Sequence, residues 1–302
     1  MEEELMQKKL DEFSDKFDTL LSMTSPQKAN NTDGYVIISD ENGECTKGVD
    51  MKTEHRLIQG DCLEVLKKIP PNSIDLIFAD PPYGLAKKKG LGWKYSKHIT
   101  LEEKWDLFTK DEFFRFNNRW IEECLKVLKH GGSFWICGSF HNIYQLGFIL
   151  QNKDVKINNS IVWFKPNAQP NITCRMFTES CEHLIWGVKN HAKAKWTFNY
   201  DDTKNLIEDP LNPRGKQTRN VWSIPLTSKK EKWAGEHPTQ KPIELLRRII
   251  LACSKPGETV LDPFVGSGTT SVVAKMLKRN SIGIEKDVGY INIAKKRLAA
   301  AS

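Results

Sequence analysis

Several features are missing from this chain, and each absence narrows its class. No window approaches the roughly 18 uninterrupted apolar residues that a membrane-spanning helix needs, and the acidic, amphipathic N-terminus carries no apolar export core. The expectation is a cytoplasmic protein with no membrane partner. No Cys-x-x-Cys pair occurs, and the cysteines number seven, an odd count in a long chain, so a disulfide framework is not expected. Cys174, Cys181 and His183 lie near one another in sequence, but a fourth ligand at workable spacing is missing, so no metal is expected. A strong charge of one sign is absent too. Forty-five Lys and Arg against 38 Asp and Glu leave +7, which suits a polyanionic partner without requiring one. Internal repeats and low-complexity tracts are also lacking.

What remains is ordinary globular material: 302 residues, 39% hydrophobic and 27% charged, enough for one large domain or one domain with an insertion. Residues 1–54 read as an appendage, with Leu5, Leu10, Phe13, Phe17, Leu20 and Leu21 at helical spacing and a polar linker over 26–34. From residue 55 strands and helices alternate: strands over 55–60, 74–80 and 133–138, helices over 63–69, 113–128 and 141–151. The alternation stops after strands at 159–165 and 184–189, with no helix expected before residue 242. It resumes with a helix over 242–254, a strand over 259–264, a helix over 269–279, a strand over 281–285 and a closing helix over 288–299. This order predicts an α/β fold with a mostly parallel sheet and helices on both faces. The divisions expected are 1–54 as appendage, 55–165 and 237–302 as two halves of one domain, and 166–236 as an insertion.

Four sequence features can carry chemistry. Asp80-Pro81-Pro82-Tyr83 directly follows the apolar strand Ile-Asp-Leu-Ile-Phe-Ala, where doubly wound folds bind ligands. The prolines stiffen the loop and remove amide donors, leaving bare carbonyls, a carboxylate and an aromatic ring. Such a corner can hold a flat amine, with Asp80 and the Pro81 carbonyl accepting its two N–H bonds and Tyr83 stacked on its face. It can equally be a structural turn. Asp262-Pro263-Phe264-Val265-Gly266-Ser267-Gly268-Thr269-Thr270 sits at a strand-to-helix junction, where Gly266 and Gly268 allow close approach of a ligand to the helix start. No Lys follows the second glycine, so it is not a P-loop. Glu285, at the end of the next strand, suits a ribose diol, or is a surface carboxylate beside a tight turn. In His237-Pro238-Thr239-Gln240-Lys241-Pro242, Thr239 and Lys241 can meet an anionic group, although Pro242 also marks a helix start. Asp61, before Cys62, is equally well read as a helix N-cap.

These motifs, in this order, resemble the amino-methyltransferases of the β permutation group, in which the catalytic half precedes the cofactor half. The resemblance spans about residues 55–300. Within the group, the stretches 167–171, 174–178 and 231–235 resemble GATC-modifying adenine methyltransferases of DpnII-type restriction systems. The resemblance implies a circularly permuted, Rossmann-like S-adenosylmethionine-dependent methyltransferase fold in which 166–236 serves as the target-recognition insertion. It implies that Asp262, Phe264, Gly266, Ser267, Gly268 and Thr269 line the S-adenosylmethionine pocket. Glu285 would hold the ribose, Asp61 and Cys62 would lie along the adenine, and Thr239 and Lys241 would face the methionine carboxylate. Asp80 to Tyr83 would grip an extruded adenine, with Asp80 bordering the donor as well. Asp rather than Ser before Pro-Pro favours adenine over cytosine N4. Carbon-5 methylation would need a nucleophilic cysteine, typically after proline, and no proline precedes any cysteine here.

DNA is thus the expected partner. Lys87, Lys88, Lys89, Trp93 and Lys94 mix basic and aromatic residues in a glycine-bearing loop that can close over a phosphate backbone, or can be a solvated loop. Lys165, Arg175, Arg214, Lys216 and Arg219 are further candidates for DNA contact. The sequence leaves open a cognate restriction endonuclease and a homodimer. It also leaves open a DNA-binding subunit without turnover, and methylation of RNA or of a protein amide.

Overall fold

Residues 74–79 explain why this chain makes a layered α/β structure. Leu76 and Phe78 pack into one apolar cluster while Ile77 and Ala79 pack into another. Successive strand residues point to opposite faces, so this strand is covered on both sides, as a central parallel strand must be. The protein is described from a computed structural model, in which residues 30–32, 35–39, 52–83, 109–171, 174–190 and 192–301 are described.

The described strands are β1 (Asn30–Thr32), β2 (Tyr35–Ser39), β3 (Glu54–Gln59), β4 (Ile74–Ala79), β5 (Leu128–Gly138), β6 (Val155–Phe164), β7 (Cys181–Lys189), β8 (Val221–Ser223), β9 (Thr259–Asp262) and β10 (Asn280–Glu285). The helices are α1 (Cys62–Leu66), α2 (Lys110–Val127), α3 (Ile143–Gln151), α4 (Tyr200–Leu206), α5 (Ile243–Cys253), α6 (Thr269–Met276) and α7 (Val288–Ala300). One ten-stranded sheet runs in the order β1-β2-β3-β10-β9-β4-β5-β7-β6-β8. Its centre, from β3 to β5, is wholly parallel, while β1, β2 and β7 join antiparallel. Helices α1, α2 and α3 supply the cluster on one face, and α5 and α6 the cluster on the other. The last two strands in sequence, β9 and β10, lie between β3 and β4, as expected of a permuted Rossmann-like sheet.

Two expectations need correction. Asn30–Thr32, inside the stretch read as linker, is strand β1, and Tyr35–Ser39, in the same appendage, pairs with β3 and extends the sheet edge, as its apolar run Tyr-Val-Ile-Ile permits. The helical spacing read over 5–21 lies outside the described residues. Within 166–236, β7 and β8 belong to the main sheet, and α4 is a helix where none was expected. That helix reads Tyr-Asp-Asp-Thr-Lys-Asn-Leu, with only Thr203 buried, so it has no apolar stripe to announce it. The described parts of this stretch that leave the sheet are the β6–β7 connection, residues 192–220 and residues 224–236.

Helix α2 begins with a full capping box, Thr109 accepting from the Glu112 N–H and Glu112 accepting from the Thr109 N–H. It passes directly into β5. Leu128 opposes Ile74 and Ser133 opposes Leu76, so the turn around Gly131 (φ 76°) sits inside the strand as an irregularity.

Candidate active site

Because β3, β10, β9, β4 and β5 are parallel, their C-terminal ends share one edge. That edge gathers Asp61, Glu285, Asp262 and Asp80, each placed within two residues of a strand end. Strand β4 pairs with β9 through Leu76–Val260 and Ile77–Leu261, so the Asp80 corner and the glycine turn leave neighbouring strands. Hydrogen bonds then link the motifs. Lys241 puts its ammonium 2.6 Å from Asp80 Oδ2, and its backbone carbonyl accepts from the Thr269 hydroxyl at 3.1 Å. Glu285 accepts from the Gly266 N–H at 3.0 Å, and its backbone carbonyl accepts from the Gly60 N–H at 2.9 Å. Sequence separations as large as 225 residues are closed within one edge.

At the acidic corner Asp80 has both oxygens engaged. Oδ2 accepts from Lys241, and Oδ1 accepts from the Tyr83 hydroxyl at 2.9 Å. A second carboxylate, Glu182 near the start of β7, lies 3.0 Å from the same hydroxyl and 3.6 Å from Lys241. Lys165 closes the group, 3.4 Å from Glu182 Oε1. Two carboxylates thus face two ammonium groups in a buried setting, which removes the cost of an unpaired buried charge. Burial pushes the Asp80 carboxyl above its ordinary range despite Lys241. Burial also acts on Glu182, but Lys241 and Lys165 outweigh it and hold this carboxyl low. Burial would lower the Lys241 ammonium, but Asp80 and Glu182 hold it firmly protonated. The Pro82 carbonyl accepts a long 3.5 Å bond from Asn142, fixing the corner against α3.

The glycine turn needs its glycines. Gly266 has φ 50° and Gly268 φ 85°, backbone that side chains avoid. A Cβ on Gly266 would also stand 2.9 Å from His237 Nε2. Asp262 accepts from the Phe264 N–H and from Thr270, and burial pushes its carboxyl up to about 7. Arg297, reaching in from α7, donates to the Ser267 carbonyl, the Ser267 hydroxyl and the Thr269 hydroxyl, pinning the turn from behind. The Ser267 and Thr269 side chains are therefore part of the scaffold, and the turn itself is buried.

A sequence profile described as DNA methylase, covering both N6 and N4 amino methylation, matches residues 74–296. The chain belongs to the N6/N4 DNA methylase family. It is similar to the Type II methyltransferase M2.DpnII of Streptococcus pneumoniae, with 46% identity over 257 residues, 84% of this chain and 93% of the relative. To the Type II methyltransferase M2.MboI of Moraxella bovis it is 42% identical over 243 residues, covering 80% of this chain and 86% of the relative. Among solved structures, the M1.HpyAVI–SAM complex matches with TM-score 0.59 and 28% identity over 81% of this chain and 98% of that one.

The remaining expected site residues of this DNA methylase fall as follows. Asp61 caps α1 by accepting from the Leu63 N–H, and its other oxygen lies 3.3 Å from Lys286. Cys62 is buried as the first residue of α1, its thiol pushed up to about 12 by burial and then by Asp61. Phe264 is half-buried, edge-on to Trp120 at 5.2 Å. Thr239 is exposed. Lys241, expected at the donor's methionine carboxylate, is held by Asp80 and Glu182. Lys165, expected to meet DNA, is a correction: it is 9% exposed and its ammonium is turned to Glu182. Arg175, Arg214, Lys216 and Arg219 are exposed, Arg214 standing 3.3 Å from Glu208. Lys87, Lys88, Lys89, Trp93 and Lys94 lie outside the described residues. Glu182 and Arg297 were not singled out from the sequence, and His237 was quoted within its motif without a role. Glu182 reads there as a charged residue beside His183 ahead of an apolar run, a signal that marks a buried charge only when its partners are known.

Proposed function

We propose that this DNA methylase transfers the methyl group of S-adenosylmethionine to the N6 amino group of adenine, within GATC, as the modification arm of a Type II restriction–modification pair with a cognate endonuclease. The observation that carries the reading is the hydrogen-bonded junction of the Asp80 corner with the glycine turn through Lys241 and Thr269. It brings a candidate amine acceptor and a candidate donor pocket to the same sheet edge. The residues fit a cationic sulfonium donor: Asp61, Asp80, Asp262 and Glu285 gather four carboxylates at that edge, beside the turn whose backbone Gly266 and Gly268 permit. Asp rather than Ser at position 80 supports adenine, and the resemblance to DpnII-type enzymes supports GATC and the endonuclease partner.

When bound, S-adenosylmethionine supplies an electrophilic methyl group on a positive sulfur. The protein's part is to hold and orient. Glu285 and Asp61 would accept from donor hydroxyl and amino groups, and the backbone of 262–269 would wall the pocket. The target base must leave the duplex stack, at about a few kcal/mol, and would lie against Tyr83. An adenine amine is a poor nucleophile because its lone pair is delocalised into the ring. Accepting hydrogen bonds from its two N–H groups at Asp80 and at the Pro81 carbonyl would draw the nitrogen toward tetrahedral geometry and localise that pair, and the one proton the methylated nitrogen sheds would leave by way of the Asp80 carboxylate to solvent. Catalysis is then positioning and electrostatics, with no covalent enzyme intermediate. Arg175, Arg214, Lys216 and Arg219 would bear on phosphates or base edges.

Expression in a methylation-free host, digestion of its DNA to nucleosides and genome-wide mapping test this. N6-methyladenine in GATC is the expected product. N4-methylcytosine, another sequence, or DNA binding without methyl transfer would each overturn the corresponding part.

A further inference from the structure

Tyr83 has one phenolic proton and two carboxylates competing for it. Its oxygen lies 2.9 Å from Asp80 Oδ1 and 3.0 Å from Glu182 Oε2. A phenol donates one hydrogen bond, so at any moment one carboxylate has the proton and the other does not. The choice matters because Asp80 Oδ2 is already taken by Lys241. While Tyr83 donates to Asp80, both Asp80 oxygens already carry a hydrogen bond, so an incoming amine would have to share Oδ1 with the phenol and meet an acceptor whose charge is partly spent. Glu182 is well built to be the alternative acceptor. Its side chain is largely buried, and Lys165 on one oxygen and Lys241 near the other keep it ionised.

We infer that Glu182 is a positioning residue for methyl transfer, acting through Tyr83: it takes the phenolic hydrogen bond and so leaves Asp80 Oδ1 to accept the target amine. The inference rests on the reading of Asp80 as amine acceptor. The exchange turns one O–H bond about its C–O axis and moves no buried side chain. The same bond fixes the tyrosine ring by its edge, which leaves a face for the extruded base, while Lys241 lies 5.4 Å from the ring centroid. No proton changes owner. Glu182 touches neither base nor donor; the effect inferred here passes through the hydroxyl, while its 3.6 Å approach to Lys241 is the same with or without that hydroxyl.

The test is a double-mutant cycle of Glu182→Gln and Tyr83→Phe, read as single-turnover transfer of a labelled methyl group to duplex DNA at saturating donor and DNA. Glutamine keeps the shape but is a weaker, uncharged acceptor, so the phenolic proton returns to Asp80. E182Q is expected to slow transfer by about ten- to a hundredfold, the worth of one charge-assisted hydrogen bond. Donor affinity should stay within about twofold of wild type. In the Tyr83→Phe background the same E182Q change should cost much less, because the hydroxyl is gone and only the Glu182–Lys241 pairing is left to lose. Wild-type rates in E182Q, or an equal loss in both backgrounds, would overturn the inference. Should E182Q melt early or lose the donor, Lys165→Gln replaces it, weakening Glu182 as an acceptor without altering it. A loss confined to the Tyr83 background supports the inference, and an equal loss in both overturns it. If wild-type protein itself transfers nothing to DNA, the proposed function fails and this inference falls with it. If wild type transfers and the cycle is additive, this inference alone fails.

Discussion

The glycine turn gives a quantitative prediction with an internal control. Gly268 (φ +85°) starts α6, and a Cβ there would lie 2.8 Å from Ala294 Cβ and 2.9 Å from Ala294 Cα on α7. Gly215 has nearly the same backbone (φ +78°) but nothing within 4 Å of the added carbon. Gly215→Ala therefore meets left-handed strain alone, ~1–2 kcal/mol. Gly268→Ala meets the same strain plus forced displacement of a helix backbone, a further ~1–3 kcal/mol. At about 2–4 °C per kcal/mol for a large domain, G268A should melt ~2–12 °C below G215A. The displacement also moves the Gly266–Ser267 backbone proposed to wall the donor pocket, so donor affinity should fall in G268A and hold in G215A. Differential scanning calorimetry and equilibrium dialysis with labelled S-adenosylmethionine measure both. Equal melting of the two variants, or wild-type donor affinity in G268A, would refute the reasoning.

Other predictions follow from buried charges and exposed cations. His237 is pushed from 6.5 down to about 4 by burial, then by Lys241, Lys232 and Arg297, so the folded chain refuses a proton that the unfolded chain takes. Stability should thus fall as pH drops from about 6.5 toward 4, and His237→Gln should flatten that part of a urea-unfolding pH series; an unchanged slope counts against it. Arg248, 1% exposed, pairs with Asp209 and Glu244 and joins α5 to the 190–220 region. Arg248→Met strands the buried Asp209 carboxylate and should cost about 3–5 kcal/mol in urea unfolding; a loss under about 1 kcal/mol would contradict this. Replacing Arg214, Lys216 and Arg219 together with alanine should weaken DNA binding and lower the slope of log K against log salt by about one for each phosphate no longer neutralised; an unchanged slope would remove them from the proposed interface.

How much of this was legible in the sequence depended on range. The run Ile-Asp-Leu-Ile-Phe-Ala and the amphipathic stretch that became α2 declare themselves locally, because strand and helix periods are written in neighbouring residues. Asp80, Gly266, Gly268 and Glu285 were visible because strand ends followed by stiff or glycine-bearing turns have few other uses. Tyr35–Ser39 was not read as a strand, since its partner β3 is chosen by long-range pairing. Helix α4 was hidden by its polar composition, and it is held by the Asn199 side chain donating to the carbonyls of Leu251 and Ser254 rather than by an apolar stripe. Lys165 misled for a physical reason: a lysine in sequence reads as a surface cation, and only the fold reveals Glu182 beside it. Glu182 itself needed three distant segments, around residues 83, 165 and 241, before its role could be read.

The most direct test sets methyl transfer against donor binding in one variant, Asp80→Ala. If Asp80 holds the target amine, labelled transfer to DNA should be abolished while S-adenosylmethionine still binds at the glycine turn. Turnover that survives in that variant would contradict the assignment.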